Sequence, residues 1–410
     1  MKKLQVSYAI CALLSCSTFA AQARADNWPG WLAPQLEQHP DISAAREQLL
    51  GSWATADATD QPLHNPELYS EVERGGEENN FRVGVQQTLD WWDRKGARKD
   101  QAVSIRQAAE AQYRQLAMDR TAEVLEALIE WDAANRAATI ATAQKDHFQT
   151  LLELARKRQS AGDISTIDAE LTFLFLSQQL AELAELEVAS LTAESRLREL
   201  LPEWTPALGG ISKDEWPTLP SSLSEEALLT HPAVETARAN WQALKEEAEV
   251  TRRAARAEPT VGINAGRDGG ENVVALTFAI PLNVRNDFSA ETRAASRAAL
   301  EAEARYRSAL RKQRFEFEAA LAAWQRFQQQ YGRWQTVAQS HVESGPEMLE
   351  RQWRSGDLST ADYLQTLNQR AESLLAGIAL EKQTQLALTQ VLLTSGQLIA
   401  ATVPPSAQTN

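Results

Sequence analysis

Two carboxylate-bearing segments share one spacing. Gly162-Asp163-Ile164-Ser165-Thr166-Ile167-Asp168 recurs in the second half as Gly356-Asp357-Leu358-Ser359-Thr360-Ala361-Asp362. Much of this pattern is helix punctuation: a glycine at C′ ends one helix, and Asp, Ser or Thr caps the next. That account covers Gly162, Gly356, Ser165 and Ser359, and it suits Asp163 and Asp357. It does not require Asp168 and Asp362, which fall inside the helix that follows. Carboxylates crowded at a narrow mouth favour bound cations or raised pKa values. These are the best candidate site residues in the chain.

Enzyme chemistry has little to work with. The histidines His39, His64, His147, His231 and His341 fall on helix starts, a loop and helix faces, with no pair at i, i+4. His39 and His231 each precede a proline, which reads as helix-start punctuation. Neither a Gly-x-Ser-x-Gly, a Walker A nor a His-Glu-x-x-His pattern occurs. Beyond the initiator, Met118 and Met348 are the only methionines, so a soft-metal cluster is not encoded. The expectation is a non-enzyme with no catalytic residue, no cofactor and no resident metal.

Charge and cysteine narrow the class further. The formal net charge is −14, which argues against nucleic acid as a partner. Met1-Lys2-Lys3, the apolar run Leu4 to Leu14 and the small-x-small sites at Ala21–Ala23 and Ala23–Ala25 read as a bacterial signal peptide over residues 1–25. Cleavage near Ala25 is preferred; acylation at Cys16, after Leu13-Leu14-Ser15, is the alternative. The only cysteines, Cys11 and Cys16, lie in this leader, so ordinary cleavage leaves no disulfide or thiolate site. Past the leader, no stretch has 18 uninterrupted apolar residues. A membrane crossing there must be a closed β-barrel.

The elements that position the two segments come in two copies. His39-Pro40 recurs as His231-Pro232, Asn65-Pro66 as Glu258-Pro259, and Arg74-Gly75-Gly76-Glu77 is echoed in Arg267 to Glu271. Each half reads as a helix, two strands, one very long helix, a sharp punctuation and another helix. The long helices are expected from about Lys95 to Ser160 and from about Ser289 to Ser355, with Gly332 and Pro346 late in the second. Such lengths suit a coiled coil or a tube wall. The strand pairs alternate: Phe81, Val83, Val85 and Leu89 on one side against Arg82, Gly84, Gln86 and Thr88 on the other, and Leu276, Phe278 and Ile280 against Ala275, Thr277 and Ala279. Their partners are expected at 66–73 and 259–267. Trp91-Trp92 closes the first pair as an interfacial girdle or as buried packing. Four strands cannot close in lipid without open edges, so copies must share one barrel. Two copies would fill the interior with side chains, whereas three leave room for a lumen.

This layout resembles the TolC-type outer-membrane efflux family from His39 to about Leu398. The segments Asn65 to Glu73, Lys95-Gly96-Ala97-Arg98 and Ile280 to Asn286 resemble its branch serving cobalt–zinc–cadmium-type heavy-metal pumps; Leu89-Asp90-Trp91-Trp92-Asp93 departs from that branch. The resemblance implies a mainly α fold with a small membrane β-barrel: a long helical periplasmic barrel, and four strands per protomer completing a twelve-stranded barrel in a homotrimer. It divides the chain into a first repeat at 26–220, a second at 221–400 and a tail at 401–410. It implies an outer-membrane exit duct reaching into the periplasm, an RND-type inner-membrane pump and a periplasmic adaptor as partners, outer-membrane lipids around it, and heavy-metal cations as cargo. Drug efflux or type I secretion is the rival within the family, and a periplasmic adaptor or coiled-coil scaffold the rival outside it. The resemblance also implies that Asp362 forms a cation-selective ring and that Asp168 joins the network closing the periplasmic entrance. Gly162, Asp163, Gly356 and Asp357 then mark the hairpin tips, as caps or adaptor contacts. Gln365 stands where some relatives carry a second aspartate.

Overall fold

The structure, a computed structural model, describes residues 31–398 apart from 76–77, 163–164, 212–215, 218, 340–345 and 356. The leader with Cys11 and Cys16, the tail at 401–410, and Gly76, Glu77, Asp163, His341 and Gly356 lie outside the described residues.

Each half starts with a histidine-capped helix. After α1 (Leu32–Gln38), α2 (Pro40–Asp60) begins where His39 Nδ1 accepts the Asp41 N–H at 3.1 Å. In the second half, α5 (Glu225–Leu229) precedes α6 (Pro232–Ala254), where His231 Nδ1 accepts the Ala233 N–H at 3.2 Å. Proline at the first helical position has no N–H to satisfy, so the His-Pro pair makes a compact helix start.

A strand pair follows in each half: β1 (Glu67–Gly75) and β2 (Glu78–Thr88), then β3 (Thr260–Asp268) and β4 (Glu271–Ala279). They form one antiparallel sheet in the order β1-β2-β3-β4. The central β2–β3 pairing joins the two repeats, with Gly84 opposite Asn264.

The first long helix is unbroken. α3 (Arg94–Ala161) has 68 residues, which at about 1.5 Å per residue is about 100 Å. It folds back through Gly162 into α4 (Thr166–Leu200). Asp90 fastens its start by accepting the Arg94 and Lys95 N–H groups at 2.6 and 2.8 Å. The residue before each long helix, Asp93 and Phe288, has a left-handed backbone with φ of 54°.

The second long helix is described on both sides of residues 340–345. α7 (Ser289–Trp334) ends in a π-helical turn (Gln335–Gln339), and α8 (Pro346–Ser355) precedes α9 (Thr360–Thr394). Pro346 is the first described residue of α8, a position where a proline's missing N–H is tolerated. At the end of α7, Trp334 Nε1 donates to the Ser373 carbonyl at 3.2 Å, and the indole packs where Gly377 has no side chain.

Packing is helix on helix. Trp131 meets Trp204 edge to face with ring centres 4.6 Å apart, among Leu197, Leu201 and Leu392. α2 packs on α3 through Ile42, Leu49 and Tyr113. Burying a Leu- or Phe-sized side chain stabilises by about 1.5–3 kcal/mol, so these seams hold the helices side by side.

Candidate functional site

The helices that flank both punctuation segments share one small core. Phe148 and Leu151 of α3, Leu176 and Leu183 of α4, Trp353 of α8, and Tyr363 and Leu364 of α9 form a single buried cluster. The structure therefore brings the starts of α4 and α9, with Asp168 and Asp362 in their first turns, to the same end of the molecule.

Local hydrogen bonding explains the punctuation. Gly162 has φ of +80° and its N–H donates to the Gln159 carbonyl at 3.1 Å, as a C′ glycine does. The Ser165 carbonyl accepts the Ala169 N–H at 3.0 Å, the first helical bond of α4. In the second segment the Asp357 N–H donates to the Gln352 carbonyl, and Asp357 Oδ2 accepts from Ser355 Oγ at 2.7 Å. Asp357 thus closes α8 as a capping residue.

Asp362 has a structural partner that spacing alone did not demand. Ser359 Oγ accepts the Asp362 N–H at 3.1 Å and donates to Asp362 Oδ2 at 2.7 Å. This is a variant of the reciprocal capping box, with Asp where Glu or Gln is usual. The carboxylate stays exposed. Ser165 and Asp168 repeat that three-residue spacing.

A bond between the two hairpins lies one residue further on. Tyr363 Oη is 2.9 Å from His147 Nε2, and the Trp353 ring stacks on Tyr363 at 4.8 Å, 4° from parallel. Burial lowers the His147 pKa, with Glu350 opposing that shift. A neutral His147 accepts at Nε2 from the Tyr363 hydroxyl. The two residues are 216 positions apart, so no local motif announces them.

The sheet is the second part of the site. Register puts Glu67, Tyr69, Glu71, Arg82, Gly84, Gln86, Gly262, Asn264, Gly266 and Thr277 on one face, and Leu68, Val72, Phe81, Val83, Val85, Ile263, Val274, Leu276 and Phe278 on the other. The polar face is cross-linked: Asn264 Nδ2 donates to Tyr69 Oη at 2.7 Å, Gln86 Nε2 to Glu67 at 2.7 Å, and Arg82 pairs with Asp268 at 2.7 Å. The apolar face is the open one. Val72 is 80% and Leu276 84% exposed, while Asn264 on the polar face is 7% exposed. A soluble half-buried sheet shows the reverse. Neither β1 nor β4 has a second neighbour among the described residues.

Between sheet and helices sits a buried charge knot. Glu258 Oε2 lies 2.9 Å from both His64 Nε2 and Arg94 Nη1. It ties the segment leading into β3 to the loop before β1 and to the start of α3. His39 and His231 are helix caps, and His231 also donates from Nε2 to the Leu393 carbonyl at 3.0 Å. Trp91 is 66% exposed, which sets aside the buried-packing option for it. Among the described residues no group of three or more His, Cys, Asp or Glu could hold a metal ion, and no helix is long and apolar enough to cross a membrane.

A sheet that is apolar outside and polar inside, carried on two long helical hairpins, defines the fold of outer-membrane channels. The structure is similar to the outer-membrane channel OprN (TM-score 0.73, 18% identity, 89% of each chain covered), to CusC (0.72, 17%, 89% of this chain and 91% of that one), and to the Campylobacter jejuni CmeC outer membrane channel (0.75, 14%, 97% and 94%). In sequence, residues 31–202 match the model of the family "Outer membrane efflux protein". No curated protein matches. The resemblance to TolC-type outer-membrane efflux proteins therefore holds, by sequence in the first repeat and by fold through both.

Proposed function

We propose that this chain is the outer-membrane exit duct of a tripartite RND-type efflux system, a passive homotrimeric channel whose cargo is heavy-metal cations. The observation that carries the duct reading is the inverted sheet, with its apolar side open to the surroundings and Gly84 and Asn264 buried at the centre of its polar side. Such a sheet is stable with lipid on the apolar face and water on the other. Its free β1 and β4 edges are satisfied when copies pair edge to edge, and three copies leave a lumen. The helices then extend into the periplasm, where an adaptor joins them to an inner-membrane pump that supplies the energy.

Two features support cations as cargo. One is the resemblance of residues 65–73 and 95–98 to the metal-pump branch. The other is the polar face itself, which carries Glu67, Glu71, Glu73, Asp268 and Glu271 against a single arginine, Arg82. Asp362 contributes a carboxylate ring at the periplasmic mouth, and Asp168 acts in the network that closes it. Gly162, Asp163, Gly356 and Asp357 shape the tips that meet the adaptor.

The test is deletion of the gene in its host. Sensitivity to divalent metals should rise more than sensitivity to dyes or detergents. The mature protein should fractionate with outer membranes as a heat-modifiable trimer. Lost drug resistance with unchanged metal tolerance would reassign the cargo, and a water-soluble monomer would overturn the duct.

A further inference from the structure

The strand ends nearest the long helices carry a cluster that conduction does not use. The connection from α6 to β3 is pinned on both sides: Trp92 Nε1 donates to the Ala257 carbonyl at 2.8 Å, and Asn283 Nδ2 to the Ala255 carbonyl at 2.9 Å. Between these anchors Arg256 is exposed, its guanidinium 4.7 Å from the centre of the Trp92 ring. Arg252 and Arg253 are engaged by Glu249, and Arg253 also by Asp93. That network holds the Glu249 pKa down at about 2, mainly through the Arg252 hydrogen bond, so its charge is fixed. Among the described residues no carboxylate forms an ion pair with Arg256. Trp91, next to Trp92, is 66% exposed, and Leu282 and Val284, on either side of the anchoring Asn283, are 76% and 86% exposed.

We propose that this cluster is a binding site for the anionic headgroup of a glycerophospholipid in the periplasmic leaflet of the outer membrane. Arg256 anchors the phosphate, and Trp91, Leu282 and Val284 sit at the boundary of headgroup and acyl chain. The inference rests on the outer-membrane reading above. A guanidinium over an aromatic face keeps its N–H edge free for two phosphate oxygens. Tryptophan prefers the same depth, with an apolar ring and a polar N–H. The site continues the apolar side of the sheet past the end of β4 at Ala279. That continuity points to lipid and not to a soluble protein, whose contact would not need to run on from a membrane-facing surface.

The experiment uses the trimer in phosphatidylcholine vesicles that contain a minor share of brominated lipid, either phosphatidylglycerol or phosphatidylcholine. Quenching of tryptophan fluorescence reports which lipid gathers at the site, and Trp91→Phe identifies the relevant signal. The expected result is a preference of about fivefold for brominated phosphatidylglycerol, the ratio given by about 1 kcal/mol for one arginine at a membrane surface. Arg256→Gln should abolish the preference, and Arg256→Lys should retain part of it. Equal quenching by both lipids, unchanged in Arg256→Gln, would overturn this inference and leave the membrane reading standing. Quenching by neither lipid would overturn the membrane reading itself.

Discussion

Asn264 on β3 reaches Tyr69 on β1 across the intervening strand, with Nδ2 to Oη at 2.7 Å, and Gly84 is the residue they cross. A Cβ at Gly84 would lie 2.6 Å from Asn264 Cβ and 2.8 Å from both Tyr69 Cε1 and the Ile263 carbonyl oxygen. The glycine thus clears the floor on which a three-strand polar tie is laid, and the tie faces the lumen in the proposed barrel. Gly84→Ala should shift the strands and break the bond, costing about 1–3 kcal/mol by overpacking. Tyr69→Phe removes only the hydroxyl and should cost about 1 kcal/mol. The check is the temperature at which the trimer dissociates on gels. Wild-type behaviour of Gly84→Ala would show that the strands absorb the methyl group.

The two faces of β4 should answer oppositely to one substitution. Leu276 points away from the polar face and Thr277 onto it. An arginine on a lipid-facing strand position costs about 2–4 kcal/mol near the bilayer midplane, while lumen positions tolerate charge. Leu276→Arg should therefore block insertion and trimer assembly. Thr277→Arg should assemble and lower the passage of cations. Normal assembly of Leu276→Arg would place that face somewhere other than lipid.

Much of this sheet was legible beforehand, because alternation with period two and Pro-Gly boundaries encode strands locally. The direction of the faces was not, since a soluble sheet alternates too; only the exposure of Leu276 and Val72 beside the shelter of Asn264 decides it. The end of regular α-helix at Trp334 was half visible. Gly332 and Pro346 flank it, but the change from α to π geometry there coincides with Trp334 packing against Gly377 and bonding to Ser373, contacts no local motif announces. The contacts of His147 with Tyr363, and of Glu258 with His64 and Arg94, join distant positions through tertiary packing, beyond the reach of any window.

Acid should loosen the second repeat where α6 meets α9. His231 accepts at Nδ1 from the Ala233 N–H and donates from Nε2 to the Leu393 carbonyl, so the neutral ring satisfies both. Burial lowers its pKa; the Leu393 carbonyl and Glu316 oppose that shift. An unfolded histidine titrates near 6.5. The stabilisation is therefore complete above about pH 6.5 and is lost as pH falls through the lower folded value. His231→Asn keeps a capping oxygen but not the bond to Leu393. It should cost about 1 kcal/mol at pH 8 and flatten the acid limb of thermal stability. An unchanged acid limb would assign the pH dependence to other groups.

The hairpin ends should loosen in proportion to what is removed from Tyr363. Tyr363→Phe keeps the stack on Trp353 and loses the bond to His147, about 1 kcal/mol. Tyr363→Ala empties a fully buried site and should cost about 3–5 kcal/mol. Hydrogen exchange over 141–151 and 353–367 should rise in that order, with the α2–α3 seam unaffected. Equal exchange in both variants would show that the cluster does not couple the hairpins.

The mouth prediction must separate a charge from a cap, because Asp362 supplies both. Its carboxylate accepts from Ser359 Oγ, and its N–H is capped by the same atom. Asp362→Ala alone would confound the two, since losing a capping interaction costs about 0.5–2 kcal/mol and frays the first turn of α9. Ser359→Ala removes the cap and keeps the charge. Asp362→Asn keeps an acceptor for Ser359 and removes the charge. If three copies of Asp362 form a cation-selective ring, Asp362→Asn should lower cation selectivity and block by divalent or trivalent ions in planar bilayers, while Ser359→Ala should leave both unchanged. Asp168→Ala should raise conductance by loosening the closed state. Normal selectivity and block in Asp362→Asn, together with reduced stability in Ser359→Ala, would make Asp362 a capping residue only and move the selectivity to the carboxylates of β1.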